Sequence, residues 1–174
     1  MSESGWHVMG VGAGDDAPGD WAYSIGLWHT LRSPEVCMFG LRVETMMPIL
    51  NVAGGEIRNG RPLEAGQVRD DILTGCPVTV RPVHPSWYRD FFGAGIDYYQ
   101  APPLPVAQLF WPDREGRFPW DGQAEEYCRA SQPLLWIPKG KPADRGLVPA
   151  AAEVRSVDVR CGCQAGRGTM FTAR

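Results

Sequence analysis

The sequence predicts an α+β protein: a mostly antiparallel, strongly twisted sheet or partly closed barrel of about five or six strands, with one main helix packed on it. Three observations carry this. Short segments with period-2 or continuously apolar patterning recur along the chain. One long stretch, 43–57, instead places apolar residues at helical spacing. The 21 glycines and 16 prolines, together roughly a fifth of the chain, require many turns and short elements rather than a helical bundle.

The chain is organised around Trp21 to Leu41, read as two strands with a tight connection. Tyr23, Ile25 and Leu27 alternate with Ala22, Ser24 and Gly26, the pattern of a strand with one buried face. Glu35 to Leu41 is nearly continuously apolar, as in a strand buried on both faces. His29 to Pro34 is the turn between them, because Ser33-Pro34 favours a turn and proline cannot donate to a ladder. Before this pair, Trp6 to Val11 reads as a first strand and Gly12 to Asp20 as a loop. Gly10, Gly12 and Gly14 do not make a dinucleotide fingerprint. The third small position is Asp15 in one frame, and in the other Pro18 and a strand follow where a helix should begin.

After the central strands, Val43, Met46, Met47, Leu50, Ala53 and Ile57 share one helical face. Pro48 suits only a first turn, so the helix is expected to start near Glu44 or Thr45, and Asn59-Gly60 ends it. Pro77 to Val83 reads as a strand near a sheet edge, and Val106 to Trp111 as another. Between them, His84 to Phe92 begins as a turn and continues as a short helix with Pro85 at its start. Ile96 to Tyr99 is a short aromatic segment, and Pro112 to Gly116 a turn from which Arg117 to Trp120 can pair back. Gln123 to Ser131 is a short helix. Residues 1–137 are expected to form one globular domain, and 138–174 a linker-like, partly mobile tail with a short strand around Val154, Val157 and Val159.

Composition removes several function classes. A net charge of −3 leaves no electrostatic footprint for nucleic acid. No apolar run approaches the ~20 residues that cross a bilayer, and the first residues lack the pattern of a signal peptide, so a cytoplasmic location is expected. Five scattered cysteines do not suggest a disulfide framework. No metal site is expected: there is no Cys-x-x-Cys and no His-x-x-x-His, and Cys161-Gly-Cys163 lies in the tail.

The chemistry available sits at strand ends, where a rigid scaffold commonly carries its sites. His29, His84 and Asp113 are the candidate catalytic residues, since a histidine oriented by a carboxylate works as an acid or base near neutral pH. Tyr23, Trp28, Tyr88, Gln108 and Trp111 are the candidate ligand-binding residues of an aromatic pocket. The alternative for the polar residues is that they bond their own turns, as Asp in turns often does.

Three stretches together resemble one family: Ala22-Tyr-Ser-Ile-Gly-Leu27 with Pro34-Glu35 and Phe39-Gly-Leu41; Pro82-Val-His-Pro-Ser-Trp-Tyr88; and Gln108-Leu-Phe-Trp-Pro-Asp113 with Gly116 and Phe118-Pro-Trp120. The chain from about Gly5 to Trp136 is similar to the bacterial family filed as domain of unknown function 4262. That resemblance implies no activity, cofactor or site residue. Two functions follow from the residues themselves. One is a small cytoplasmic enzyme or ligand-binding protein with a histidine-edged aromatic pocket for a small molecule. The other is a non-catalytic interaction protein with Trp111 to Trp120 as an aromatic anchor. The cofactor is left unknown, and an exposed sheet edge is compatible with a homodimer.

Overall fold

The structure, a computed structural model, describes residues 5–12, 19–102 and 104–141. The expectations for the loop at 13–18 and for the tail at 142–174 lie outside the described residues. Among the described residues, six strands form one open mixed sheet: β1 (His7–Val11), β2 (Trp21–Ile25), β3 (Glu35–Phe39), β4 (Val68–Arg69), β5 (Val78–Pro82) and β6 (Val106–Phe110). Their spatial order is β1-β2-β3-β6-β5-β4, so β3 and β6 are the inner pair. That pair is parallel and every other pairing is antiparallel. The sheet is therefore α+β and mostly antiparallel as the sequence predicts, and it does not close into a barrel.

The parallel pair sets the layering. All five residues of β3 and all five of β6 are buried, which requires cover on both faces. One face carries Val36 and Met38 of β3 with Ala107 and Leu109 of β6, and packs under α2 (Val43–Arg58). The other carries Cys37 and Phe39 with Val106, and packs under α3 (Tyr88–Phe91), α4 (Gly93–Tyr99) and Leu135. Strand β2 is likewise buried on both sides, Ala22 toward α2 and Tyr23 toward the aromatic layer. Its alternation thus sorts residues between two cores, not between core and water.

The helix α2 begins at Val43, earlier than its proline suggests, so Pro48 stands beyond the first turn. Pro48 and Glu44, the residue four back whose carbonyl loses its partner, are both exposed, so water can replace the missing bond. The buried face is Met46, Ile49, Leu50, Ala53, Gly54 and Ile57. Gly54 has a steric purpose: a Cβ there would lie 2.6 Å from the Trp6 indole. Gly10 works the same way from the strand side, because a Cβ on it would meet Val43 Cγ1 at 2.1 Å. These two glycines let the helix settle onto β1.

The connection between β2 and β3 is a helix, not the simple turn expected from Ser33-Pro34. It is α1 (Leu27–Leu31), closed by Arg32 in the left-handed region at φ 55°. The polar stretch after α2 adds the two-residue edge strand β4, anchored by an ion cluster. Arg69, 7% exposed, forks onto both carboxylate oxygens of Asp71 at 2.7 Å and reaches Glu56 of α2 at 3.5 Å. Arg61 also pairs with Glu56. The Arg69 guanidinium is the main reason the Asp71 carboxyl is held down to about 2.

Beyond β6, the segment Pro112–Trp120 makes turns and adds no strand, and α5 (Glu126–Ser131) follows. The chain then straps across the aromatic layer. The His84 N–H donates to Leu135 O at 2.8 Å, and the Trp87 indole N–H to Ile137 O at 2.7 Å. Lys139 Nζ reaches Asp90 at 2.7 Å.

Two outcomes check this packing. Gly54→Ala should destabilise the protein by about 1–3 kcal/mol through the collision with Trp6. Gly55→Ala, whose Cβ would meet nothing within 4 Å, should stabilise it by roughly 0.5–1 kcal/mol. Urea unfolding of both variants decides it, and equal effects would contradict the Trp6 contact. The second outcome concerns acid. Asp71 has a lowered folded-state pKa, so its contribution is complete above the ordinary carboxylate range near pH 4 and fades as pH falls toward 2. Thermal melts over that range should show a drop in the native protein that is smaller in Asp71→Asn.

Candidate functional site

The N-terminal ends of the parallel strands β3 and β6 gather the polar residues of one end of the sheet. Because β2 and β5 run antiparallel to their neighbours, the residues following them, His29 and His84, emerge at this same end. Asp113 and Trp111 follow β6 and so lie at the opposite end. The topology brings the two histidines to one side of the sheet and places the candidate aspartate on the other.

At the histidine end stands a residue the sequence reading passed over, Glu35, 2% exposed at the first position of β3. Its carboxylate is matched by four donors. Ser24 Oγ donates to Oε2 at 2.5 Å, and the N–H groups of Gly26 and Trp28 donate to Oε1 at 2.8 and 3.1 Å. The Tyr99 hydroxyl donates to Oε1 at 2.5 Å. That hydroxyl in turn accepts from Gly26 N–H at 3.0 Å and His29 N–H at 3.3 Å. The carboxylate and the phenol together take up the Gly26, Trp28 and His29 amides at the start of α1, which accounts for a helix where local sequence suggests a turn. Gly26 makes the approach possible: it has φ 116°, and a Cβ there would sit 2.8 Å from Gly5 O. Burial first, then the hydrogen bond to Glu35 and its charge, push the Tyr99 phenol well above its ordinary range.

Tyr99 also walls an open cleft of about 440 Å³. One side is Ile96, Tyr99 and Gln100 at the end of α4; another is Ala101, Pro102, Leu104 and Pro105 leading into β6; Pro85 and Tyr88 complete it. The proline-rich approach to β6 offers few backbone donors and leaves this lining almost wholly apolar. The polar groups are two phenols and the Gln100 amide. Burial raises the Tyr88 phenol above its ordinary range, so both tyrosines are neutral hydroxyls at pH 7.

Of the residues singled out from sequence, Tyr88 lines the cleft and His84 immediately precedes Pro85 of its wall. The His84 Nδ1 accepts from Ser86 N–H at 3.2 Å and lies 2.9 Å from Ser86 Oγ, so it caps the 3₁₀ turn Pro85–Trp87. His29 is an exposed residue of α1 whose backbone N–H meets Tyr99. Trp28 is half-buried with the Arg32 guanidinium 5.9 Å from its ring. Tyr23 is a core residue, edge-on to Phe92 at 5.3 Å with its hydroxyl 3.4 Å from Met9 Sδ. Gln108 ties β6 to the strap through Pro133 O and Leu135 N–H. The Trp111 indole is buried and donates to Phe39 O at 2.9 Å. Asp113 holds its own turn: one oxygen accepts from the Glu115 and Arg117 N–H groups, the other from Arg117 Nε and Glu125 N–H. Among the described residues no cluster of three histidine, cysteine or acidic side chains is arranged to hold a metal ion.

The Glu35 tie should be costly to break. Glu35→Gln replaces one acceptor oxygen by a donor facing Ser24 or α1 and should lose about 1–3 kcal/mol of stability, with Tyr99→Phe losing about 1–1.5. Denaturant titration of the two variants and their double mutant should show a double-mutant loss smaller than the sum. Strict additivity would contradict direct coupling.

A family model described as domain of unknown function (DUF4262) matches residues 1–125. Comparison with curated proteins found no match, and neither did comparison with solved structures.

Proposed function

The chain belongs to the DUF4262 family, whose description names no activity, and we propose from the geometry that it binds a small, flat, mostly apolar molecule in the cleft between α4 and the Pro85–Tyr88 turn. The observation that carries this is an apolar cleft of about 440 Å³ edged by the Tyr88 and Tyr99 phenols. That volume and that sparing use of polar groups are what small-molecule sites share. Burial of apolar ligand surface supplies the affinity; the neutral Tyr88 phenol and Gln100 set orientation through one or two hydrogen bonds, while the Tyr99 hydroxyl stays engaged by Glu35, Gly26 and His29 and contributes its ring. His84 directly precedes Pro85 of the cleft wall, and an acid–base role belongs to it if the bound molecule reacts.

The wall's position on Glu35 supports the reading. Tyr99 is fixed at its hydroxyl by three partners, so the cleft is held open and little ordering entropy opposes binding. A bacterial cytoplasmic setting belongs to the same proposal, supported by Cys37, Cys76 and Cys128 being buried free thiols.

Ala101 is exposed and lines the cleft, so Ala101→Trp fills it without touching the core. The neutral apolar dye Nile red should bind the native protein with a saturable fluorescence gain, weakened about tenfold or more in Ala101→Trp, a loss of at least 1.4 kcal/mol. Equal dye binding by a variant of unchanged melting temperature would overturn the reading. Native mass spectrometry of the purified protein would identify a ligand that remains bound.

A further inference from the structure

On the face of the sheet opposite α2, and sharing no residue with the cleft, Arg81 of β5 lies among aromatic rings. Its guanidinium carbon is 5.2 Å from the centre of the Trp120 ring and 5.6 Å from that of Trp136. Trp120 and Trp136 meet edge to face at 5.2 Å, and Phe118 stacks on Trp120 at 5.1 Å. Arg81, Phe118, Trp120 and Trp136 are all half-buried, so this group reaches the surface.

Arg81 carries five N–H donors, yet among the described residues no oxygen accepts from it and no carboxylate pairs with it. Its Nε is cut off from water and has no hydrogen-bond partner. Arg129 Nε is similarly placed, but that guanidinium donates elsewhere, to Gly122 O at 3.5 Å. A guanidinium partly covered by indoles and given no counter-charge among the described residues is unusual.

We propose that Arg81, Trp120 and Trp136 form a second binding site, for a small carboxylic acid whose carboxylate is attached to an aromatic group. The Arg81 terminal nitrogens at the surface offer a fork that matches a carboxylate. The indoles and Phe118 cover the attached ring. Apolar walls select against a strongly hydrated anion such as phosphate, which would have to give up its water beside tryptophan.

The test is titration of the full chain, ¹⁵N-labelled, with phenylacetate, followed through the indole N–H resonances, with Trp120→Phe and Trp136→Phe assigning the two signals. Phenylacetate should shift these two signals saturably. Phenylacetamide, which has the same shape without the charge, and inorganic phosphate should each bind about tenfold more weakly or worse. Arg81→Gln should weaken phenylacetate to a similar extent, with Arg81→Lys recovering only part because it lacks the fork. Phenylacetamide or phosphate matching phenylacetate on the unmodified protein would overturn the proposal, whether or not the variants fold. So would an unchanged affinity in folded Arg81→Gln. Dye binding in the Tyr88–Tyr99 cleft is scored separately, and its failure leaves this site standing.

Discussion

A carboxylate almost removed from water holds the working end of the molecule together. Glu35 begins the central strand, and an unpaired charge there would cost several kcal/mol. Its four donors come from three places: Ser24 on β2, the amides at the start of α1, and Tyr99 on α4. One side chain therefore registers two strands, starts a helix and fixes the wall of the cleft. The Ser24 hydroxyl completes the arrangement by accepting from the Val36 N–H at 2.9 Å while it donates to Glu35. Every proton in this cluster has an acceptor, which is the condition under which a buried polar group becomes specific rather than merely expensive.

The second constraint is the parallel pairing of β3 with β6. A parallel pair cannot be closed by a tight turn, and here the crossover between them carries α2, β4, β5, α3 and α4. That long excursion places a helix on one face and aromatic elements on the other, so both inner strands are buried throughout. The aromatic layer is close-knit: Phe91 meets Trp21 and Phe39 edge-on at 5.6 and 5.1 Å, and Phe92 meets Tyr23 at 5.3 Å. Trp21, Tyr23 and Trp87 are thereby committed to packing, and the cleft is left to the tyrosines at the margin of the layer.

Those margins separate two kinds of surface. At the N-terminal ends of β3 and β6, prolines and two neutral phenols bound an apolar cleft. Across the aromatic layer, the strap that follows α5 brings Trp136 to Arg81 and Trp120. The strap lies beyond the residues matched by the family model, so the aromatic enclosure around Arg81 is completed by a part of this chain outside that match.

What the sequence by itself determined is local. The period-2 and continuous apolar runs specify β2, β3, β5 and β6, and the 43–57 spacing specifies α2, because burial of a face leaves its period in the chain. The turn role of Asp113 was among the sequence alternatives for the same reason: its partners lie within twelve residues. Only the tertiary structure decided what depends on distant partners. Strand order could not be read, so nothing showed that His29 and His84 share an end of the sheet while Asp113 lies at the other. Glu35 reads in the sequence only as part of the nearly continuously apolar strand 35–41, and its donors include Tyr99, sixty-four residues away. Helix α1 carries no signal of its own because its amides are satisfied by that carboxylate rather than by a neighbouring cap. The single sequence feature that pointed there was a lone acidic residue opening a buried run, which gains meaning only when the partners that neutralise its burial are in place.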